Sequence, residues 1–166
     1  MANSFKKHLL IDGYNIIHAW PDLKKSLKTL GLDVTRSKLA DIVRVIHDTE
    51  KLRLTIVFDG KGSDVEIERP TPEKTFSLLF SPRGISADTL IEQLASNAKK
   101  NQEIIVATDD SMIALSASSS GAIVISSHAL LEWVNACQER QLRIIKDHQS
   151  SIQKSWKKQS PWDILE

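Results

Sequence analysis

Three aspartates in this sequence close apolar runs, and a fourth opens a helix just beyond another such run. Asp12 follows Leu9-Leu10-Ile11, Asp59 follows Leu54 to Phe58, and Asp110, beside Asp109, follows Ile104 to Thr108. Asp88 comes two residues after Ser86, downstream of Thr75 to Phe80. A buried strand ending in a carboxylate delivers that group to a sheet edge. Two carboxylates about 4 Å apart repel by roughly 4 kcal/mol at an effective dielectric of about 20, so gathering several costs stability unless a cation intervenes. An all-oxygen donor set suits Mg²⁺ or Mn²⁺. Zinc is poorly served: there is one cysteine, Cys137, and His8, His18, His47, His128 and His148 form no helical metal-ligand pair. Metal ions held by acids acidify water and neutralise a leaving oxygen, which permits phosphodiester hydrolysis without a side-chain nucleophile. Plainer readings exist: Asp12-Gly13 and Asp59-Gly60 are turn dipeptides, and Asp88 complements a helix dipole.

The elements that must position these acids alternate. Leu9 to Ile11, Leu52 to Phe58, Thr75 to Phe80, Glu103 to Thr108 and Ala122 to Ile125 read as strands, with Val65 to Glu68 as a short exposed one. Between them, Leu23, Leu27 and Leu30 mark a helix stopped by Gly31, with Lys24, Lys25 and Lys28 outward. Thr35 is placed to cap a helix running to about Lys51, burying Leu39, Ile42, Val43 and Ile46. Ser86 caps a helix from Ala87 to about Lys99, with Glu92 one turn beyond Asp88. A helix with Met112, Ile113 and Leu115 gives way to a small-residue loop, Ser116 to Gly121. Ser127 opens a long helix with Leu130, Val134 and Cys137 at buried spacing. Strands that are near-continuous apolar runs, separated by helices, predict a mainly parallel sheet covered on both faces, a three-layer α/β/α sandwich. Ligands of such sheets sit beyond the carboxyl ends of the strands, where Asp12, Asp59, Asp88 and Asp110 converge.

With 166 residues, the chain is read as one domain spanning 1–166, with a basic helical extension from about 140. Lys and Arg number 22 against 21 Asp and Glu, so nucleic-acid binding would need local patches rather than net charge. The densest patch holds Arg140, Arg143, Lys146, Lys154, Lys157 and Lys158, interleaved with Trp156 and followed by Trp162. Charge and stacking there would suit single-stranded RNA; alternatively this is the polar face of a docked helix burying Ile152 and Trp156. Ser160 to Glu166 is expected to dock or to fray. A lone cysteine suits a reducing, cytoplasmic compartment, the residues before the first strand do not form a signal peptide, and no apolar run reaches membrane-spanning length.

In order, Asp12-Gly13-Tyr14-Asn15, Phe58-Asp59-Gly60, Ser86-Ala87-Asp88-Thr89-Leu90-Ile91-Glu92 and Val106-Ala107-Thr108-Asp109-Asp110 resemble the YacP-like branch of the NYN domain, within the PIN-like nucleases. The similarity covers roughly Lys7 to Trp133. It implies a compact α/β/α metal-dependent ribonuclease acting in RNA turnover or processing, on mRNA or structured RNA, with association with the ribosome as a further expectation. By resemblance, Asp12, Asp59, Asp88 and Asp110 form the acidic site, Asn15 positions water or phosphate, and Glu92 is an outer ligand. Asp109 stands where the family usually has serine, and is either a further metal ligand or a cap for the next helix. The polar residues that usually follow are replaced by Ser111-Met112-Ile113-Ala114. Arg83 is a candidate phosphate clamp or a plain surface arginine, and Lys154, Lys157 and Lys158 are candidate RNA contacts. Two other functions compete: an RNA- or ribosome-binding adaptor with little catalysis, and a receiver-like phosphoacceptor. The last lacks paired acids after the first strand and a lysine after the final one.

Overall fold

A computed structural model describes residues 5–158. The chain runs β1 (Lys7–Asp12), α1 (Gly13–Ala19), α2 (Pro21–Leu30), α3 (Leu32–Glu50), β2 (Arg53–Asp59), β3 (Glu66–Glu68) and β4 (Phe76–Ser81). It continues through α4 (Ala87–Ser96), β5 (Glu103–Ala107), α5 (Ser111–Ser119), β6 (Ile123–Ile125) and α6 (Ser127–Lys158). The strands form one six-stranded sheet in the order β3-β4-β2-β1-β5-β6. Every pairing is parallel except β3 with β4, as the near-continuous apolar runs predict.

Strand alternation builds two cores. Leu9, Ile11, Ile56 and Phe58 face α1, α2, α3 and the first turns of α6, where Ile16, Leu23, Leu39, Val43 and Leu130 close the packing. Leu10, Val57, Ile104 and Val106 face α4 and α5, meeting Leu90, Ile91, Ile113 and Ala117. The sheet is therefore the middle of three layers. It lays the carboxyl ends of β1, β2, β4 and β5 along one edge, because these strands are mutually parallel.

Several local expectations need correction. Thr35 caps nothing: α3 begins at Leu32, because Gly31, at φ +86°, separates it from α2 in a single residue. Buried inside α3, the Thr35 hydroxyl donates to the Gly31 carbonyl (2.7 Å) and meets Ser26 Oγ (3.1 Å). Ser116 to Ser119 are helical rather than loop. The hydroxyls of Ser119 and Ser120 donate back to the carbonyls of Leu115 and Ser116, and the turn falls at Gly121, φ +89°. Leu30, Met112 and Leu115 are exposed instead of joining the core, and α4 ends at Ser96, short of Lys99.

Helix α6 is held by its beginning. Leu130, Val134 and Cys137 are buried, Trp20 Nε1 donates to the Ser127 carbonyl, and Glu50 of α3 accepts from Trp133 and Arg140. Beyond Arg140 every described residue is exposed, including Ile152 (45%) and Trp156 (65%). The docked-helix reading of this segment thus fails. Leu142, Ile144 and Ile145 are exposed there as well. Trp162 and the stretch from Ser160 lie outside the described residues. No helix among the described residues is long and apolar enough to cross a membrane.

Candidate active site

Asp12 is the innermost of the acids. It ends β1 and is 6% exposed, and Thr108, at the end of the neighbouring β5, donates its hydroxyl to Asp12 Oδ2 (2.9 Å). The same Thr108 Oγ1 accepts from the Asp110 amide (3.1 Å), so one hydroxyl ties two acids. Asp110 Oδ1 accepts from the Met112 and Ile113 amides (2.9 and 3.4 Å), capping α5. Asp59, at the end of β2, accepts at Oδ1 from the Ala87 amide (2.7 Å), which fixes the start of α4 and hence Asp88 beside it. Ser86 caps α4 as expected, accepting from the Thr89 amide.

Asp12 and Asp88 feel the charges of their acidic neighbours. Burial lifts the pKa of Asp12 from 3.8 to about 6; the Thr108 hydrogen bond opposes this, while the charges of Asp88, Asp110 and Asp59 add to it. Asp88 is raised too, by partial desolvation first and then by Asp110, Asp59 and Glu92. Glu92, half-buried one turn along α4, therefore belongs to the same acidic field.

No three of these carboxylates bring ligand atoms within 4.8 Å of one another. The donor set nevertheless fits a hard divalent ion: all oxygen, with Asp12 desolvated and held in place by Thr108. Among the described residues, the ligand atoms that do meet within 4.8 Å are those of His47, Asp48 and Glu73, at the opposite edge of the sheet. Both His47 ring nitrogens already have partners there, Asp48 at 3.0 Å and Thr75 at 2.8 Å.

Two residues make contacts that the sequence does not suggest. Asn15 does not cap α1: its Oδ1 accepts from the Asp109 amide (2.8 Å), stitching the ends of β1 and β5. Asp109 caps a helix, but α6 rather than α5. Its two oxygens take the Ser127 amide (2.8 Å) and hydroxyl (2.5 Å). Thr108 is the site residue that sequence reasoning passed over; its place directly before Asp109-Asp110 was the available signal.

The basic residues divide between the rim loop and the far end of α6. Arg83 is exposed in the loop after β4, where its amide donates to the Gly62 carbonyl (2.8 Å). Helix α6 starts at the rim, where Asp109 holds Ser127. At 1.5 Å per residue, Lys154 sits about 40 Å further along the axis, with Lys157 and Lys158 beyond it.

A mainly parallel, helix-flanked sheet with acids gathered at its carboxyl edge is a PIN-like fold, the architecture of a class of divalent-metal nucleases. The YacP-like NYN domain family model matches residues 9–164, and the chain belongs to that family, so it falls among the nuclease-type hydrolases. It is 32% identical over 137 residues to YacP of Bacillus subtilis (strain 168), covering 80% of this chain and 77% of that protein. The crystal structure of Rae1 (YacP) from Bacillus subtilis aligns with TM-score 0.71 at 28% identity, over 89% of this chain and 84% of that one. A single-substitution mutant of the same protein aligns at TM-score 0.73 and 29% identity, over 91% and 89%.

Proposed function

We propose that this protein is a Mg²⁺- or Mn²⁺-dependent endoribonuclease whose acidic site is Asp12, Asp59, Asp88 and Asp110, with Glu92 as an outer ligand. The observation that carries this reading is Asp12: a buried carboxylate, at a pKa of about 6, in the field of three further acids. A fold that keeps such repulsion at one edge has a use for it. A bound divalent ion would supply charge neutralisation at the phosphodiester oxygens and at the water that attacks them.

The chain's own residues set the geometry. Thr108 fixes the orientation of Asp12 and the backbone of Asp110 together. The Ala87 amide holds Asp59, and the Asn15–Asp109–Ser127 chain of hydrogen bonds locks the loop that carries Asp110. Asp109 thus acts as a positioning residue, with both oxygens committed. The test is incubation of the full chain with single-stranded and structured RNA, in Mn²⁺ and in EDTA. Cleavage in Mn²⁺ alone is expected. RNA bound yet intact in both would instead support the adaptor.

On this reading the α6 lysines grip RNA well away from the cut. Removing all three charges as Lys154→Ala, Lys157→Ala and Lys158→Ala should lower the log–log salt slope of binding to a long single strand by about 2, at roughly 0.7 per phosphate contact. Binding to an oligonucleotide too short to span about 40 Å should not change. Equal slopes for wild type and variant on the long strand would remove α6 from the RNA path.

A further inference from the structure

Beside the acid rim lies a recess of about 340 Å³ that the proposed chemistry leaves unused. It begins at Asp59, and its walls are Tyr14, two residues beyond Asp12, and Phe80 of β4. Between them sits Arg36 of α3, whose guanidinium carbon is 5.1 Å from the centroid of the Phe80 ring. Its Nη1 donates to the Tyr14 hydroxyl (3.3 Å) and its Nη2 pairs with Asp33. Tyr14 meets Phe58 edge-on at 5.0 Å, and Phe58 stacks on Phe80 at 5.6 Å. Only 19% of the Arg36 side chain is exposed. A planar cation is therefore set in an aromatic frame next to an acidic edge.

The charge of the lining decides what this recess takes. Asp33, Asp59, Glu66 and Glu68 oppose Arg36 and Lys61, so a bare phosphate would meet more repulsion than attraction. A neutral planar group carrying both hydrogen-bond acceptors and N–H donors meets complementary partners instead. The volume lies near the lower end of the roughly 300–1,000 Å³ usual for small-molecule sites, which suits one aromatic heterocycle. Each Nη of Arg36 keeps a second N–H beyond its bond to Tyr14 or Asp33, and guanidinium N–H groups recognise the O6 and N7 acceptors of guanine, the commonest specific contact of arginine with a base. The N1–H and N2–H donors of guanine suit a carboxylate, and Glu66 lines the same recess as Arg36.

We infer that this recess is a base subsite that holds a guanine of the RNA beside the scissile linkage, with Arg36 and Glu66 as its specificity-determining residues. The inference rests on RNA being the substrate. Its test is therefore made independent of cleavage, by titrating the isotope-labelled full chain in EDTA with GMP, AMP, CMP, UMP and ribose 5-phosphate. GMP should shift the amides of Gly60, Lys61 and Gly62 and the Arg36 Nε–H, at least threefold tighter than the other nucleotides. Ribose 5-phosphate should leave them unmoved. Arg36→Lys keeps the charge and loses the fork, and it should weaken GMP at least fivefold while the rest of the spectrum stays native; Glu66→Gln should flatten the base preference. Equal shifts from ribose 5-phosphate, equal affinity for all four bases, or no shift at all would each overturn the subsite. A protein that binds GMP but cleaves nothing keeps the subsite and loses the nuclease reading; one that cleaves but ignores GMP does the reverse.

Discussion

Asp12→Asn should abolish RNA cleavage and, at the same time, make the metal-free protein harder to unfold above pH 6. The first effect follows from the proposed role. Losing the most buried acid of a metal site removes several kcal/mol of charge stabilisation, and about 4 kcal/mol corresponds to a roughly 10³-fold drop in rate. The second follows from the titration. The Asp12 pKa rises from 3.8 to about 6 on folding, so the folded state binds this proton more tightly than the unfolded chain. Between pH 4 and pH 6 the unfolded chain releases the proton first, and stability falls as pH rises. Above pH 6 the full penalty applies, about 3 kcal/mol for a shift of two units. An asparagine has no proton to lose, and its Oδ1 still accepts from Thr108. Urea unfolding in EDTA should therefore show the variant more stable than wild type at pH 8 and nearly equal to it at pH 4. Variant and wild type equally stable at both values would mean that Asp12 carries no such penalty.

Metal should narrow that difference. Only the folded site gathers the acids, so Mn²⁺ at a hundred times its dissociation constant should stabilise wild type by about 2.7 kcal/mol. Without the Asp12 charge the site binds the ion less tightly, so the variant should gain less. A wild-type melting temperature unmoved by millimolar Mn²⁺ would count against an assembled metal site.

Asp12, Asp59, Asp88 and Asp110 can be grouped from sequence because a parallel sheet has one carboxyl edge. Once alternation and apolar runs identify the sheet, acids at strand ends must share that edge, however far apart they are in the chain. What the side chains do at the edge is not legible in the same way. Asn15 is read by type as a group positioning water or phosphate or as a cap, and Asp109 as a ligand or a cap, yet each is engaged by a partner chosen in three dimensions. The Asp109 amide takes Asn15, and Ser127 takes both oxygens of Asp109. No local spacing encodes contacts 94 or 18 residues apart. Arg36 is hidden for a related reason: on a helical wheel it is an ordinary half-buried arginine, and only the packing of α3 against the ends of β2 and β4 sets it over Phe80. The α6 lysines pose the reverse problem. Their charge is plain in the sequence, but the helix carries them away from the rim, and composition contains no direction.

Gly13→Ala should cost more stability than any exposed substitution in the molecule, and its sign separates packing from backbone preference. Gly13 is the first residue of α1, with no positive φ to protect. By helix propensity alone, alanine there should stabilise by roughly 0.5–1 kcal/mol. The surroundings argue the opposite. A Cβ at this position would lie 2.3 Å from Cε1 of Phe58 and 2.6 Å from its Cδ1. That ring is fully buried, pinned between Tyr14 and Phe80, so it cannot turn aside without disturbing both. Overpacking of this kind costs typically 1–3 kcal/mol, and here the strain falls on the residues next to Asp12 and on the Arg36 frame. We expect a loss of about 3 kcal/mol, with RNA cleavage impaired well beyond what the unfolded fraction explains. Phe58→Leu on its own should also destabilise. Combined with Gly13→Ala it should recover part of the loss, because the smaller side chain vacates the space the new methyl group needs. A positive coupling in that double-mutant cycle would show that glycine is required here to let the active-site helix approach the end of β2. Simple additivity would show that the two residues do not compete for the same volume, and Gly13 would then owe its place to something other than the close approach of Phe58.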